Sequence, residues 1–319
     1  MPFASLGEFV ETLRKAGELH VVAACVDPRL EISAITDRVV KAGGPALLFT
    51  DVQGSRFPVL TNQFGTQRRM AMALGARSLN DVAARVRDLI DLAPPSGSFL
   101  EKLRGGLRLA ALNNAIPRTV RSGSAQDVID DDPDVTRLPV LTTWPGDAGP
   151  FITLPLVITK DPRSNRYNVG MYRMQVFGPR ETAMHWQRHK HGRAHASAWG
   201  RRVPVAVAIG TDPALTYAAT APLPPVVDEF AFAGLLRGKP VELMRAKTLD
   251  LMVPADAEFV LEGYVDNEDL RVEGPFGDHT GVYTPADRFP AFHIECITHR
   301  RDPIYPATVV GKPPMEDAW

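Results

Sequence analysis

Apolar residues recur at helical spacing in three stretches near the start of the chain. The first stretch follows an S-x-x-E capping box, formed by Ser5 and Glu8, and extends through Leu19. The same spacing returns at 30–41 and at 78–92, and the short runs ALLF and PVLTN between them are typical of strands. The pattern predicts a small N-terminal α/β domain.

Periodicity weakens between residues 94 and 134. This part of the chain contains Pro-Pro and Gly-Gly pairs and an acidic run at 130–132, which are signals of a linker or a surface crossing. We therefore predict two domains, 1–110 and 111–319.

Alternating strand patterns dominate after residue 150. ITLPLVITK, the turn DPRSN and YNVGMYRMQVFG predict one long hairpin, and VPVAVAIG, VELMRA, EFVLEGYV and AFHIECIT predict further strands. Helices are expected at 181–190 and 228–236. Many strands with few helices indicate an α+β protein whose second part is a closed or nearly closed β-barrel.

Composition favours a small-molecule partner. The 36 basic and 37 acidic residues nearly cancel, which argues against nucleic-acid or membrane-surface binding. Nucleotide-binding glycine motifs and G-x-S-x-G are absent, and no apolar run is long enough for a membrane span. Cys25 and Cys296 have no C-x-x-C partner, so we expect buried thiols and a cytoplasmic protein.

The segment VEGPFGDHTG places two acids, Glu273 and Asp278, on either side of a tight turn. Two like charges in one site push their pKa values apart, so we expect one of the acids to be protonated near neutral pH. The alternative is a loop whose acids are only solvated. Gly274 and Gly277 fix the backbone between the acids and favour a functional pair.

In YNVGMYRMQV, Asn168 and Arg173 interrupt an apolar strand. A regular strand would put them on opposite faces and about 16 Å apart, a distance that suits the two ends of a long cofactor. Gly170 would have to mark a bulge or a bend if both residues serve one site. The alternative is an edge strand with a surface arginine.

MHWQRHKHG places His185 and His189 at i, i+4. Trp186 stands where zinc proteases need a glutamate, so that class is excluded. We expect at most one of these histidines to be a metal ligand and at least two of the four in this region to face solvent.

Taken together, YNVGMYRMQV, MHWQRHKHG, DEFAFAGLLRG, EGPFGDHTG and VVGKPPMEDAW resemble the UbiD family of reversible decarboxylases. The resemblance covers the chain from about Leu19 to its last residue. It implies a split β-barrel that binds prenylated flavin mononucleotide (prenylated FMN), with a divalent metal, usually Mn²⁺, and K⁺ at the flavin phosphate.

The resemblance also implies roles for individual residues. Three would bind the metal: Asn168, His185 and Glu229. His185, rather than His189 or His191, is chosen by counting back from VPVAVA. Three would form the catalytic network: Arg173, Glu273 and Asp278. The cofactor would further contact Gly170, Met171, Tyr172, Arg173 and Met184, and His279 would face the distal end of the substrate.

The implied reaction is the reversible, non-oxidative decarboxylation of an aromatic or α,β-unsaturated acid. Arg173 would orient the substrate carboxylate, Glu273 would tune Arg173, and Asp278 would protonate the carbon that loses carbon dioxide. A flavin prenyltransferase would supply the cofactor, and the full-length protein would be a homo-oligomer, a dimer or a hexamer.

Family members continue beyond GKPPMED into a C-terminal domain, so we expect that domain to be missing from this chain. Two other functions stay open from the sequence. One is a non-catalytic assembly or binding subunit that keeps the barrel, and the other is a flavin reductase that uses unmodified FMN.

Overall fold

The computed structural model describes residues 3–90, 116–130, 132–186, 196–223 and 227–319. The helices are α1 Leu6–Lys15, α2 Glu31–Lys41, α3 Gln67–Ala73, α4 Leu79–Ile90, α5 Pro213–Ala218 and α6 Glu229–Arg237. The first nine strands are β1 Leu19–Val26, β2 Ala46–Val52, β3 Val59–Thr61, β4 Arg118–Thr119, β5 Val128–Asp130, β6 Phe151–Ile152, β7 Pro155–Lys160, β8 Tyr167–Met171 and β9 Met174–Gly178. The others are β10 Glu181–Ala183, β11 Arg202–Ile209, β12 Glu242–Arg245, β13 Met252–Pro254, β14 Phe259–Glu273, β15 Phe276–Gly277, β16 Tyr283–Thr284, β17 Asp287–His299 and β18 Tyr305–Pro306.

The N-terminal elements form a sheet in the order β1-β2-β3-β18. Helix α1 starts where the capping box predicts, because the Ser5 side chain accepts a hydrogen bond from the Glu8 amide. Its buried residues, among them Phe9 and Leu13, pack against this sheet. Leu19, which the helical spacing seemed to include, instead begins strand β1. The last strand of the sheet comes from the opposite end of the chain.

A nine-stranded sheet makes up most of the remaining described structure. Its order is β6-β9-β10-β17-β14-β11-β7-β8, with β5 paired to β17, and neighbouring strands pair antiparallel. The described residues therefore have a mixed α+β structure, as predicted. The predicted domain boundary near residue 110 lies outside the described residues.

One apolar core connects the two sheets. Phe49 and Val59 of the N-terminal sheet belong to the same buried cluster as Val207, Leu261 and Phe292 of the large sheet. Burial of these side chains holds the two sheets against each other. Within the described residues, no helix has the length and apolar character needed to cross a membrane.

The predicted strand over YNVGMYRMQVFG is broken into two. Strand β8 pairs with β7, whereas β9 pairs with β6 and β10, and the break falls at Tyr172 and Arg173. The structure has no bulge at Gly170, because the register with β7 continues without a shift from Tyr167 to Met171. Gly170 is small for another reason: a Cβ there would lie 2.5 Å from the ring of Tyr172.

The predicted helix at 181–190 is also wrong at its start. Glu181–Ala183 is strand β10, which lies between β9 and β17. Sheet hydrogen bonds to both neighbours decide the conformation there, and residues 187–190 lie outside the described residues. The helix predicted at 228–236 is confirmed as α6: Asp228 caps it by accepting from the Phe230 and Ala231 amides.

The paired strands β14 and β17 carry two register shifts. At the first shift Glu262 pairs with Cys296 and Gly263 with Ile294, so Glu295 is an extra residue in β17. The backbones approach closely at this bulge. A Cβ at position 263 would lie 1.9 Å from the carbonyl oxygen of His293, so only glycine fits there.

We therefore expect Gly263→Ala to lower the free energy of unfolding by at least about 2 kcal/mol, because the backbones of two central strands must separate. Denaturant unfolding of the variant and the wild type measures the difference. Gly178→Ala in β9 is the matched control, since a Cβ there meets nothing within 4 Å. Equal losses in the two variants would contradict the prediction.

Candidate active site

A cavity of about 660 Å³ opens beside the break between β8 and β9. Six of the residues predicted for the site line it: Met171, Tyr172, Arg173, His185, Asp278 and His279. The lining also includes residues of the C-terminal segment, among them Val310, Pro313 and Trp319. A cavity of this volume is in the usual range for small-molecule and cofactor sites. We call it the main cleft.

Glu273 lies at the end of β14 and has no exposed surface. Arg173 binds its carboxylate with one edge of the guanidinium: Nε lies 2.7 Å from Oε1 and Nη2 lies 3.2 Å from Oε2. His185 adds a third contact, with Nδ1 3.1 Å from Oε2. Burial would raise the pKa of Glu273, but the hydrogen bonds from His185 and Arg173 hold it below its ordinary value of 4.5.

Asp278 lies at the rim of the cleft, where its Oδ2 is 4.0 Å from Arg173 Nη1. Oδ2 accepts from the Thr284 hydroxyl at 2.8 Å, and Oδ1 accepts from the His279 amide at 2.7 Å. The His279 ring nitrogen Nδ1 is 2.5 Å from the same Oδ1, and its side chain is 70% exposed.

The expectation that one of the two acids is protonated near neutral pH is wrong for this structure. Burial would raise the pKa of Asp278 too, but the bonds from Thr284 and His279 hold it below its ordinary value of 3.8. The pKa of Glu273 is lowered as well. The physical reason is that each carboxylate has its own hydrogen-bond donors, His185 and Arg173 for Glu273 and Thr284 and His279 for Asp278.

The turn between the acids is fixed from outside. The Gly274 amide donates to Gln175 Oε1 at 2.8 Å, and the Gly277 amide donates to Asp147 Oδ1 at 2.7 Å. Gly274 has a φ of 90°, and a Cβ at Gly277 would lie 2.2 Å from Trp144, so both positions require glycine. Gln175 and Asp147 were not predicted from the sequence, because their partners lie 99 and 130 residues away along the chain.

A second, smaller cavity of about 300 Å³ adjoins the main cleft. Asn168 and Glu229 line it, and Met171 and Tyr172 line both cavities. Glu229 accepts from the Val169 amide at 3.0 Å, and burial raises its pKa to about 7. The buried Nδ2 of Asn168 has no hydrogen-bond partner in the described part of the chain.

The structure thus brings together two of the three residues implied as metal ligands. Asn168 and Glu229 share the small cavity, whereas His185 lines the main cleft beside Glu273. The described residues contain no group of three or more His, Cys, Asp or Glu side chains arranged for a metal. His189 and His191 lie outside those residues, and the Met184 side chain is fully buried in the apolar core.

Two family models match the chain. Residues 118–313 match the 3-octaprenyl-4-hydroxybenzoate carboxy-lyase Rift-related domain, and residues 10–90 match the N-terminal domain of the same carboxy-lyase. An uncharacterised protein of Archaeoglobus fulgidus is 50% identical over 323 residues, covering 100% of this chain and 66% of the relative. An uncharacterised protein of Aquifex aeolicus is 47% identical over 324 residues, covering 99% and 66%. The chain spans just under two thirds of both relatives.

Solved structures with the same fold include enzymes with bound flavin. An evolved dimeric form of the UbiD-class enzyme HmfF from Pelotomaculum thermopropionicum, in complex with prenylated FMN, is 32% identical with a TM-score of 0.84, covering 99% of this chain and 69% of that one. The vanillic acid decarboxylase of Sedimentibacter hydroxybenzoicus in its open form is 28% identical with a TM-score of 0.85, covering 99% and 66%.

The lowered pKa of Glu273 predicts a pH-dependent contribution to stability. A carboxylate with a depressed pKa in the folded state stabilises the protein above its unfolded pKa, and this contribution is lost as the pH falls through the folded value. At neutral pH, Glu273→Gln should cost about 3 kcal/mol, because Arg173 loses its partner. Below pH 4.5, the ordinary value, the difference from wild type should shrink.

Denaturant unfolding at a series of pH values measures that difference. Glu268→Gln is the matched control, since Glu268 is an exposed glutamate of the same strand. A stability difference between Glu273→Gln and wild type that stays constant into the acid range would refute the interpretation.

Proposed function

The chain belongs to the UbiD family of carboxy-lyases, and on that premise we propose that it decarboxylates an aromatic or α,β-unsaturated acid, reversibly and without net oxidation. The proposed cofactor is prenylated FMN, which HmfF contains in the structure compared above. The observation that carries the proposal is the position of Arg173. The Glu273 carboxylate accepts hydrogen bonds from Arg173 Nε and Nη2. The remaining nitrogen, Arg173 Nη1, lies 4.0 Å from Asp278 Oδ2 in a cleft of about 660 Å³.

Arg173 is proposed to orient the substrate. A guanidinium forms parallel hydrogen bonds with a carboxylate and stays charged at all relevant pH values. Because Glu273 fixes one edge of the fork, the remaining nitrogen needs no rearrangement to meet a substrate carboxylate. This preorganisation places the bond to be broken in one orientation. Phe276, whose ring lies 4.6 Å from the Arg173 guanidinium carbon, shields the pair on one side.

Asp278 is proposed to return a proton to the carbon that loses carbon dioxide. The lowered pKa of Asp278 means that it is ionised in the free protein, so it must first take up a proton. A substrate carboxylate beside Asp278 raises the pKa of Asp278 by repulsion between like charges. His279, exposed and in contact with Asp278, connects the acid to solvent and is proposed to face the distal end of the substrate.

The cofactor, when bound, supplies an electron sink for the pair released with carbon dioxide. Residues 170–173 lie on or beside the main cleft and are proposed to contact the cofactor. Asn168 and Glu229 offer oxygen donors in a buried cavity, which suits a hard divalent cation such as Mn²⁺. The proposal further includes K⁺ at the flavin phosphate and a flavin prenyltransferase that supplies the cofactor. It also includes a homo-oligomeric full-length form.

The proton donor is tested by Asp278→Asn in the full-length protein, co-expressed with a flavin prenyltransferase. The variant should lose about 10²–10⁴-fold in carbon dioxide release, and in deuterium incorporation into the product in D₂O, because asparagine cannot donate the proton. Asp250→Asn, at a position 81% exposed, is the control and should match wild type.

Retained carbon dioxide release in Asp278→Asn would refute the role of Asp278 as proton donor. A wild-type protein that reduces unmodified FMN but turns over no acid would favour a flavin reductase instead. A wild-type protein that holds neither flavin nor metal and turns over no acid would favour a non-catalytic binding subunit.

Glu229 is tested by metal content. Glu229→Gln removes the negative charge from the small cavity, so we expect the affinity for Mn²⁺ to fall at least about 10-fold, the lower end of the effect of outer-shell partners. Elemental analysis after dialysis against graded metal concentrations measures it. Glu242→Gln, at an exposed position in β12, is the control. Equal metal retention in the two variants would rule out Glu229 as a ligand.

A further inference from the structure

His185 has a backbone position fixed by its two neighbours. The Met184 amide donates to the Pro290 carbonyl at 2.9 Å, which continues the pairing of β10 with β17. The Met184 and Trp186 side chains are both buried in the apolar core. Because side chains alternate along an extended chain, His185 points to the opposite side, onto the main cleft.

The imidazole has two contacts there. Its ring packs against Phe289, with ring centroids 4.1 Å apart and planes inclined by 32°, and Nδ1 lies 3.1 Å from Glu273 Oε2. A carboxylate that already accepts from Arg173 can only accept again. The proton of the imidazole is therefore assigned to Nδ1, which donates to Glu273.

This bond completes the enclosure of Glu273. Oε1 accepts from Arg173 Nε, and Oε2 accepts from both Arg173 Nη2 and His185 Nδ1. If Arg173 were its only partner, the Glu273 carboxylate could rotate about its terminal side-chain torsion, and the Arg173 guanidinium would move with it. A donor on a separate backbone segment removes that freedom.

We propose that His185 is a positioning residue for the Arg173–Glu273 pair: its Nδ1–H holds Glu273 so that Arg173 presents Nη1 to the substrate carboxylate. This role rests on the proposed function, and it differs from the metal-ligand role that the family resemblance implies. Histidine that donates one ring nitrogen to a carboxylate can also bind a metal through the other. Metal content therefore has to be measured beside activity.

The variants are His185→Leu and His185→Asn in the full-length holoenzyme. Leucine keeps the packing on Phe289 but has no donor, whereas asparagine offers an N–H near the position of Nδ1. We expect His185→Leu to lose about 10–100-fold in kcat/KM, as outer-shell partners of functional groups do, and His185→Asn to recover most of it. Both variants should keep wild-type flavin and Mn²⁺ content.

His293→Leu is the matched control. His293 contacts a carboxylate in the same way, with Nε2 3.0 Å from Asp269 Oδ2, but it does not line the main cleft. We expect this control to leave kcat/KM unchanged. Loss of Mn²⁺ from both His185 variants would overturn the proposal in favour of a metal ligand. Wild-type kcat/KM in His185→Leu, or no recovery in His185→Asn, would also overturn it.

A double-mutant cycle separates this inference from the proposed function. If the wild-type holoenzyme turns over no aromatic or unsaturated acid, the proposed function has failed, but the contact can still be measured. The thermal midpoints of wild type, His185→Leu, Glu273→Gln and the double variant should be non-additive, because both single changes remove the same bond. Additive shifts would refute the contact and the role together.

Discussion

A carboxylate without exposed surface stays ionised only when hydrogen-bond donors surround it, and Glu273 meets this constraint with three contacts. Two come from Arg173, at the break between β8 and β9, and one comes from His185, just after β10. Glu273 itself ends β14. The three groups meet only when these strands have taken their places in the large sheet, so folding and site assembly are one event.

The same interaction gives the two acids different roles. Glu273 is enclosed by donors and serves to hold Arg173, whereas Asp278 lies at the rim with His279 and Thr284 around it. Two side chains from other parts of the chain hold the turn that joins the acids. Gln175 accepts a hydrogen bond from the Gly274 amide, and Asp147 accepts one from the Gly277 amide. Neither acid needs the other to be protonated, because hydrogen-bond donors hold the pKa of each carboxyl below its ordinary value. Their difference comes from environment rather than from mutual repulsion.

The break at Tyr172 and Arg173 also lies beside two adjoining cavities. Upstream of it, Asn168 faces the small cavity with Glu229, and downstream of it Arg173 faces the main cleft with Glu273. Met171 and Tyr172 form a wall common to both cavities. A continuous strand would have sent alternate residues to the two faces of the sheet. Ending one strand and starting another allows neighbouring residues to serve adjoining sites.

Local sequence patterns were sufficient for much of the secondary structure. The capping box at Ser5, the cap of α6 at Asp228 and the alternation in β11, β14 and β17 depend on residues close along the chain, so their physical cause can be read from the sequence. Strand β10 could not be predicted in this way, since three residues become a strand only when β9 and β17 flank them.

The candidate site, like the secondary structure, could be predicted from the sequence only in part. The motif around the turn singled out Glu273 and Asp278 as a candidate acid pair, whereas spacing alone left Arg173 open to a surface position, and the resemblance to the UbiD family supplied the expectation that the three form one network. Only the tertiary structure decided that Arg173 separates the acids, that both pKa values fall, and that His185 contacts Glu273. A pKa and a hydrogen bond depend on distance in space, and the residues concerned lie up to 105 positions apart in the printed sequence, from Arg173 to Asp278.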